Sequence, residues 1–217
     1  MDGLHSELKK EFQLERMILF SDAVFAIAIT LLAIEIKIPE IAHNAVTERA
    51  LVEGLAHLIP RFIGFLVSFF IIGLYWTVHH RLFGFVTAYN QNLLWLNLIF
   101  LLAVILMPFS TAFYSEYVLR LLKSPIIVYV GNICFLGIMN FILWKYISNP
   151  KRNLTDGLRK EVATYFSFRA IAIPCIFILM ACIYFIFPRY AILIPPFIPL
   201  IMRIITKRMK RKILISA

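Results

Sequence analysis

The chain has 217 residues, 61% of them hydrophobic, and a formal net charge of +10. A soluble domain is closer to half apolar, and here the apolar residues form blocks long enough for the roughly 20-residue helix that crosses about 30 Å of hydrocarbon. Composition therefore excludes an ordinary soluble domain, and no basic segment stands apart from the apolar blocks as a nucleic-acid-binding domain would.

The expected fold class is an all-α membrane protein with six spans, over about 17–38, 55–80, 92–114, 125–147, 164–187 and 190–206. They form a single transmembrane unit over 1–217, with no separate soluble domain. The first block is too long for a signal peptide and no small-residue cleavage site follows it, so no cleaved leader is expected. The segment "PEIAHNAVTERALVEGLAH" after it has helix formers and three glutamates, and one or two short interfacial helices are expected there. The third span begins after "RLFGFVTAYNQN". The fifth follows the charged loop "SNPKRNLTDGLRKEVA", and Pro195, Pro196 and Pro199 crowd the sixth. Such prolines need neighbouring groups to satisfy the freed backbone. No half-chain repeat is visible, so an inverted-repeat transporter has little support.

Lysine and arginine set orientation by collecting in cytoplasmic loops. With the N-terminus inside, fifteen of them fall on the cytoplasmic side and six on the other, while Arg169 lies within the fifth span. Both termini are therefore expected in the cytoplasm of a multi-pass protein of the cell membrane. Arg169 lies near the inner end of its span and can snorkel, and the basic tail "KRMKRK" suits anionic headgroups.

Ionisable groups inside a span are costly and mark function by default. The first span opens with Arg16, Ser21 and Asp22. Arg16 and Asp22 are six residues apart, about 240° on a helix, so each seeks partners on other helices. Trp76, His79 and His80 end the second span, and Asn92 and Asn97 begin the third, all at the same depth. One polar network stitching three helices together is the expected reading; a proton relay through Asp22 and His79 or His80 is the alternative. Adjacent His79 and His80 point about 100° apart and lack the i, i+4 spacing of metal-binding helices, so no metal site is expected. Cys134, Cys175 and Cys182 read as small buried hydrophobes rather than a disulfide or ligand set. No nucleophile elbow, phosphate-cradling loop or paired intramembrane carboxylate is present, so neither an enzyme nor a cofactor is expected.

Beyond Asp22 the first span is apolar. Ile27, Leu31 and Ile34 share one face, with Thr30 beside them. Ala23, Ala26, Ala28 and Ala33 allow close helix packing. Periodicity alone makes this an ordinary packed span. Glu35 follows it beside Lys37, where it suits an interfacial anchor.

"RMILFSD" fits an RxxxFSD signature, and with "AVFAIAITLLAIEIKIPE", "YWTVHHRLF" and "LLWLNLIFLLAVILMPFSTAF" the chain resembles the transmembrane-protein-175 potassium channel family. The resemblance covers the first three spans. It implies a potassium-selective cation channel, a homotetramer of six-helix subunits whose first helices line the pore. Potassium would be the permeant ion, with other monovalent cations left open, and the lipid bilayer and the chain itself the partners. By position after the signature, the hydrophobic constriction falls on Ile27, Leu31 and Ile34, and potassium preference on Thr30, with Glu35 a pore-mouth candidate beside the anchoring reading. Arg16, Phe20, Ser21 and Asp22 would hold the bundle, with Trp76, His79, His80 and Asn97 as the inner polar network. The sequence has no carbonyl filter of the TVGYG type, so another selectivity device is needed. A proton-coupled secondary transporter using Asp22, His79 and His80 is the alternative function.

Overall fold

In a computed structural model, residues 2–156, 158–187 and 207 are described. The first helix, α1 (Asp2–Ile34), begins well before the expected span and stops four residues short of its expected end. Its apolar portion continues an unbroken charged amino-terminal stretch, because nothing between Lys9 and Arg16 breaks a helix. Pro39 lies just beyond, and the chain turns through Glu35 and Ile36. After a 3-10 turn at His43–Ala45 comes α2 (Glu48–His57), the short helix expected in this segment. The Thr47 hydroxyl caps it by accepting from the Ala50 N–H at 3.1 Å, the usual use of Thr at an N-cap.

The second span is α3 (Ile59–Phe83), which opens with Pro60 in its first turn, where a missing N–H costs nothing. The third span differs from the expected single helix. It is broken into α4 (Gln91–Ile105) and α5 (Met107–Tyr117) at Leu106. Pro108 supplies no N–H to the ladder, and Thr111 and Ser110 turn their hydroxyls back onto the Met107 carbonyl at 2.7 and 3.1 Å. Back-bonding of this kind bends helices. Leu121, in the left-handed region at φ 54°, ends the turn into α6 (Lys123–Ile147). The last described helix is α7 (Lys160–Ile186), which carries Pro174 in its interior without ending.

Among the described residues, five segments are long and apolar enough to cross a membrane: Glu11–Ile34, Ile59–Phe83, Gln91–Arg120, Lys123–Ile147 and Lys160–Ile186. The sixth expected span, 190–206, lies outside the described residues.

The bundle has a clear order. α1 packs on α3, α4 and α5; α6 packs on α4 and α5; α7 packs on α6. The α6–α7 crossing is tight because Gly137 faces Pro174. A Cβ at Gly137 would sit 2.0 Å from Pro174 Cγ. At the end holding the start of α1, an isolated bridge joins Val86 to Thr155, and Thr87 N–H donates to the Leu154 carbonyl at 2.9 Å. This end, hereafter the near end, thus ties the α3–α4 loop to the α6–α7 loop. α2, the start of α3 and the α5–α6 turn form the far end.

Candidate functional site

Two faces of α1 have different surroundings. One face carries Leu14, Met17, Ser21, Phe25, Ala28 and Leu32, all buried against the bundle. Here the near-end polar network forms. His79 Nε2 lies 2.8 Å from Asn97 Oδ1, Asn97 Nδ2 donates to Ser21 Oγ at 2.8 Å, and Ser21 Oγ donates to the Met17 carbonyl at 2.8 Å. Because Asn97 Oδ1 only accepts, His79 must carry its proton on Nε2. The chain of donation then runs one way, from α3 through α4 into α1. His79, Asn97 and Ser21 are all buried, so each bond replaces water that is not there to compensate a loss. Beside this chain, Trp76 Nε1 donates to Asp22 Oδ1 at 2.9 Å.

The expected network is therefore narrower than the sequence indicated. His80 is exposed and lies against the Trp76 ring, 5.8 Å between centroids. Asn92 is exposed on the first turn of α4. Arg16 is exposed too, with its guanidinium 5.7 Å from the Phe12 ring centre. Adjacent residues on a helix point about 100° apart, so His79 and His80 cannot both face the interior. Three residues went unread: Phe25, Phe83 and Phe100 surround His79, with centroids at 5.5, 4.4 and 5.4 Å. Their signal was helical spacing. Phe25 follows Ser21 by four, Phe83 follows His79 by four, and Phe100 follows Asn97 by three, so each shares a face with a network member.

The opposite face of α1 is largely uncovered by the described residues. Phe20, Ile27, Leu31 and Ile34 are 52%, 58%, 39% and 68% exposed. Ala23, Ala26, Thr30 and Ala33 are exposed among them. Arg16 and Phe20 fall on this same strip, so of the four signature residues only Ser21 and Asp22 bind α1 to its neighbours within the subunit. Thr30 Oγ1 donates to the Ile27 carbonyl at 2.8 Å. Its one proton is used by its own helix, and its lone pairs are left facing outward.

A family model described as "Endosomal/lysosomal potassium channel TMEM175" matches residues 16–108. The chain is 36% identical over 151 residues to "Potassium channel Cha6605_3372" of Chamaesiphon minutus, covering 69% of this chain and 73% of that one. It is 30% identical over 155 residues to "Potassium channel HX13_20290" of a Chryseobacterium species, covering 70% and 76%. The chain belongs to the TMEM175 family. Its fold matches the crystal structure of a lysosomal potassium-selective channel TMEM175 homolog from Chamaesiphon minutus. The TM-score is 0.74 at 28% identity, covering 89% of this chain and 98% of that one.

The segment matched by the TMEM175 model contains both faces of α1 and the whole near-end network, and it ends at Pro108, where the third span bends. At the far end Glu35 is exposed just past α1. It lines a cavity of about 490 Å³ together with Lys37, Arg61, Phe109 and Glu116. Arg61 and Glu116 form an ion pair across the cavity's wall, joining α3 to α5. Deeper in this half, Ser68 Oγ lies 2.9 Å from Tyr129 OH and 2.7 Å from Thr111 Oγ1, so α3, α5 and α6 are joined by hydroxyls.

Proposed function

We propose that this membrane protein is a potassium-selective cation channel in which four copies surround a pore lined by the free face of α1. The observation that carries the reading is that face. A helix long and apolar enough to span the membrane buries one side in its own subunit and leaves the other uncovered by any described residue. The uncovered side does not look like a lipid-facing surface. α7 exposes bulky Phe168, Ile171, Ile178 and Leu179, whereas α1 alternates bulky residues with Ala23, Ala26, Thr30 and Ala33. Small residues and a hydroxyl suit close helix approach and polar contact. Membership of the TMEM175 family, with relatives named as potassium channels, supports the same reading.

In this arrangement Ile27, Leu31 and Ile34 form successive apolar rings. Such a constriction gates by dewetting. Potassium sheds its hydration more cheaply than sodium, so a narrow apolar ring favours it. Four Thr30 oxygens, each with its proton turned into its helix, present acceptors only, and acceptors are what a partly dehydrated cation needs. Arg16 sits at the near end of the strip, where its long stem lets the charge reach water. In this reading the near end faces the cytoplasm, and the termini are assigned to that side by the balance of lysine and arginine. Glu35 lies at the opposite mouth, where the α1 carboxyl end adds partial negative charge. The proton-coupled transporter reading lacks comparable support. His79 is enclosed by three aromatic rings and locked into a directional hydrogen-bond chain, a poor position for exchanging protons with solvent.

The test is Ile27→Ala and Ile27→Asn in reconstituted protein, recorded under potassium and sodium gradients. Wider, less selective conduction is expected from Ala, and a hydrated, less discriminating constriction from Asn. Unchanged conduction and selectivity in both removes Ile27 from the constriction.

A further inference from the structure

A second feature lies on the other side of the bundle, away from α1. Arg81, two residues before the end of α3, holds its guanidinium 5.4 Å from the Phe166 ring centre. Arg169 follows Phe166 by three residues on α7, so it shares a face with the ring that Arg81 covers. Neither arginine has an ion pair among the described residues, where the only pairs are Arg49–Glu53 and Arg61–Glu116. Arg169 has the Tyr165 side chain as a hydrogen-bonding neighbour, but its buried Nε–H meets no acceptor among the described residues. Trp144, whose ring stacks on Phe166 with centroids 4.7 Å apart, also has a buried Nε1–H with no acceptor. Two donors around Phe166 are thus unmet among the described residues, and a buried unmet donor is costly.

Depth identifies what is missing. α7 has 27 residues, about 40 Å of helix, against about 30 Å of hydrocarbon. Arg169 lies nine residues from its start, within reach of the headgroup layer once its side chain extends toward the near end. The adjacent α7 surface, Phe168 and Ile171, is apolar and covered by no described residue, as acyl chains require. Basic pockets between helices on the cytoplasmic side bind phosphate-bearing headgroups, and paired guanidiniums suit phosphate oxygens by bidentate bonding. We infer that Arg81 and Arg169 bind the phosphate of an anionic phospholipid at the near-end membrane interface.

The test is native mass spectrometry of the full chain in detergent, titrated with phosphatidylglycerol or with phosphatidylcholine. Wild type should retain phosphatidylglycerol preferentially. The double variant Arg81→Gln/Arg169→Gln should lose about tenfold or more of that retention, because two charge-assisted bonds go. The control pair Lys151→Gln/Arg152→Gln, equal in charge change, should retain it. Equal retention in the first double variant, or an equal loss in the control, overturns the site. Complete displacement of the lipid by inorganic phosphate overturns the lipid as its source. Should the double variant not fold, photoactivatable phosphatidylglycerol on wild-type protein decides. Adducts on the segments carrying Arg81 or Phe166–Arg169 support the site, and adducts only elsewhere contradict it.

Discussion

Thr30 and Asn97 show how one hydrogen bond decides what a side chain can do. With its proton committed to the Ile27 carbonyl, Thr30 offers only lone pairs to the strip. Thr30→Val keeps the shape and removes those acceptors. Bi-ionic reversal potentials should move toward equal potassium and sodium permeability, and an unchanged reversal potential removes the hydroxyl from selectivity. Asn97 instead sits mid-chain between His79 and Ser21. Asn97→Leu leaves the buried His79 Nε2–H without an acceptor, a cost of about 1–3 kcal/mol, visible as earlier thermal unfolding in detergent. A melting curve identical to wild type would show that the chain contributes nothing. At this scale the sequence was legible for Ser21, Asp22, Trp76, His79 and Asn97, because shared depth and polar character in apolar spans are strong constraints. It was not legible for Arg16, Phe20, His80 and Asn92. Depth says nothing about rotation around a helix, and rotation turns these four outward.

At the scale of the helix, the bundle is fixed by a few close approaches. Gly137 and Pro174 let α6 and α7 meet where no Cβ fits. Gly137→Ala should therefore push α7 off α6 and cost about 1–3 kcal/mol of overpacking strain. Lower thermal stability in detergent is the expected readout, while a neutral Ala would show that Pro174 moves aside freely. The far-end pair Arg61–Glu116 is partly exposed, so Glu116→Gln should cost no more than about 1 kcal/mol. The existence and order of the five described spans followed from hydropathy and loop charge. The break at Leu106 did not, because the apolar run continues unbroken through Pro108. Only the placement of Thr111 and Ser110 over the Met107 carbonyl shows where the third span bends. The early start of α1 was hidden for the opposite reason, since its first turns are polar and carry no span signal.

At the scale of the whole molecule, the described chain is a half-finished surface on one side and a lipid-suited one on the other. Among the described residues, α1 leaves Ile27, Thr30, Leu31 and Ile34 exposed, whereas α7 exposes bulky apolar side chains. Assembly was not legible in the residues themselves, because a helix face with Ala, Thr and Ile reads equally as internal packing until the other face is seen to be filled. The account predicts a detergent-solubilised particle of four 25.2 kDa chains; a monomer would leave the strip without a purpose. The most direct test is flux through purified protein in liposomes holding a potassium gradient, with sodium and proton gradients as controls. The account predicts potassium efflux that exceeds sodium flux, needs no proton gradient, and loses its preference in Ile27→Asn. No potassium flux, or uptake that saturates and follows the proton gradient, would contradict it.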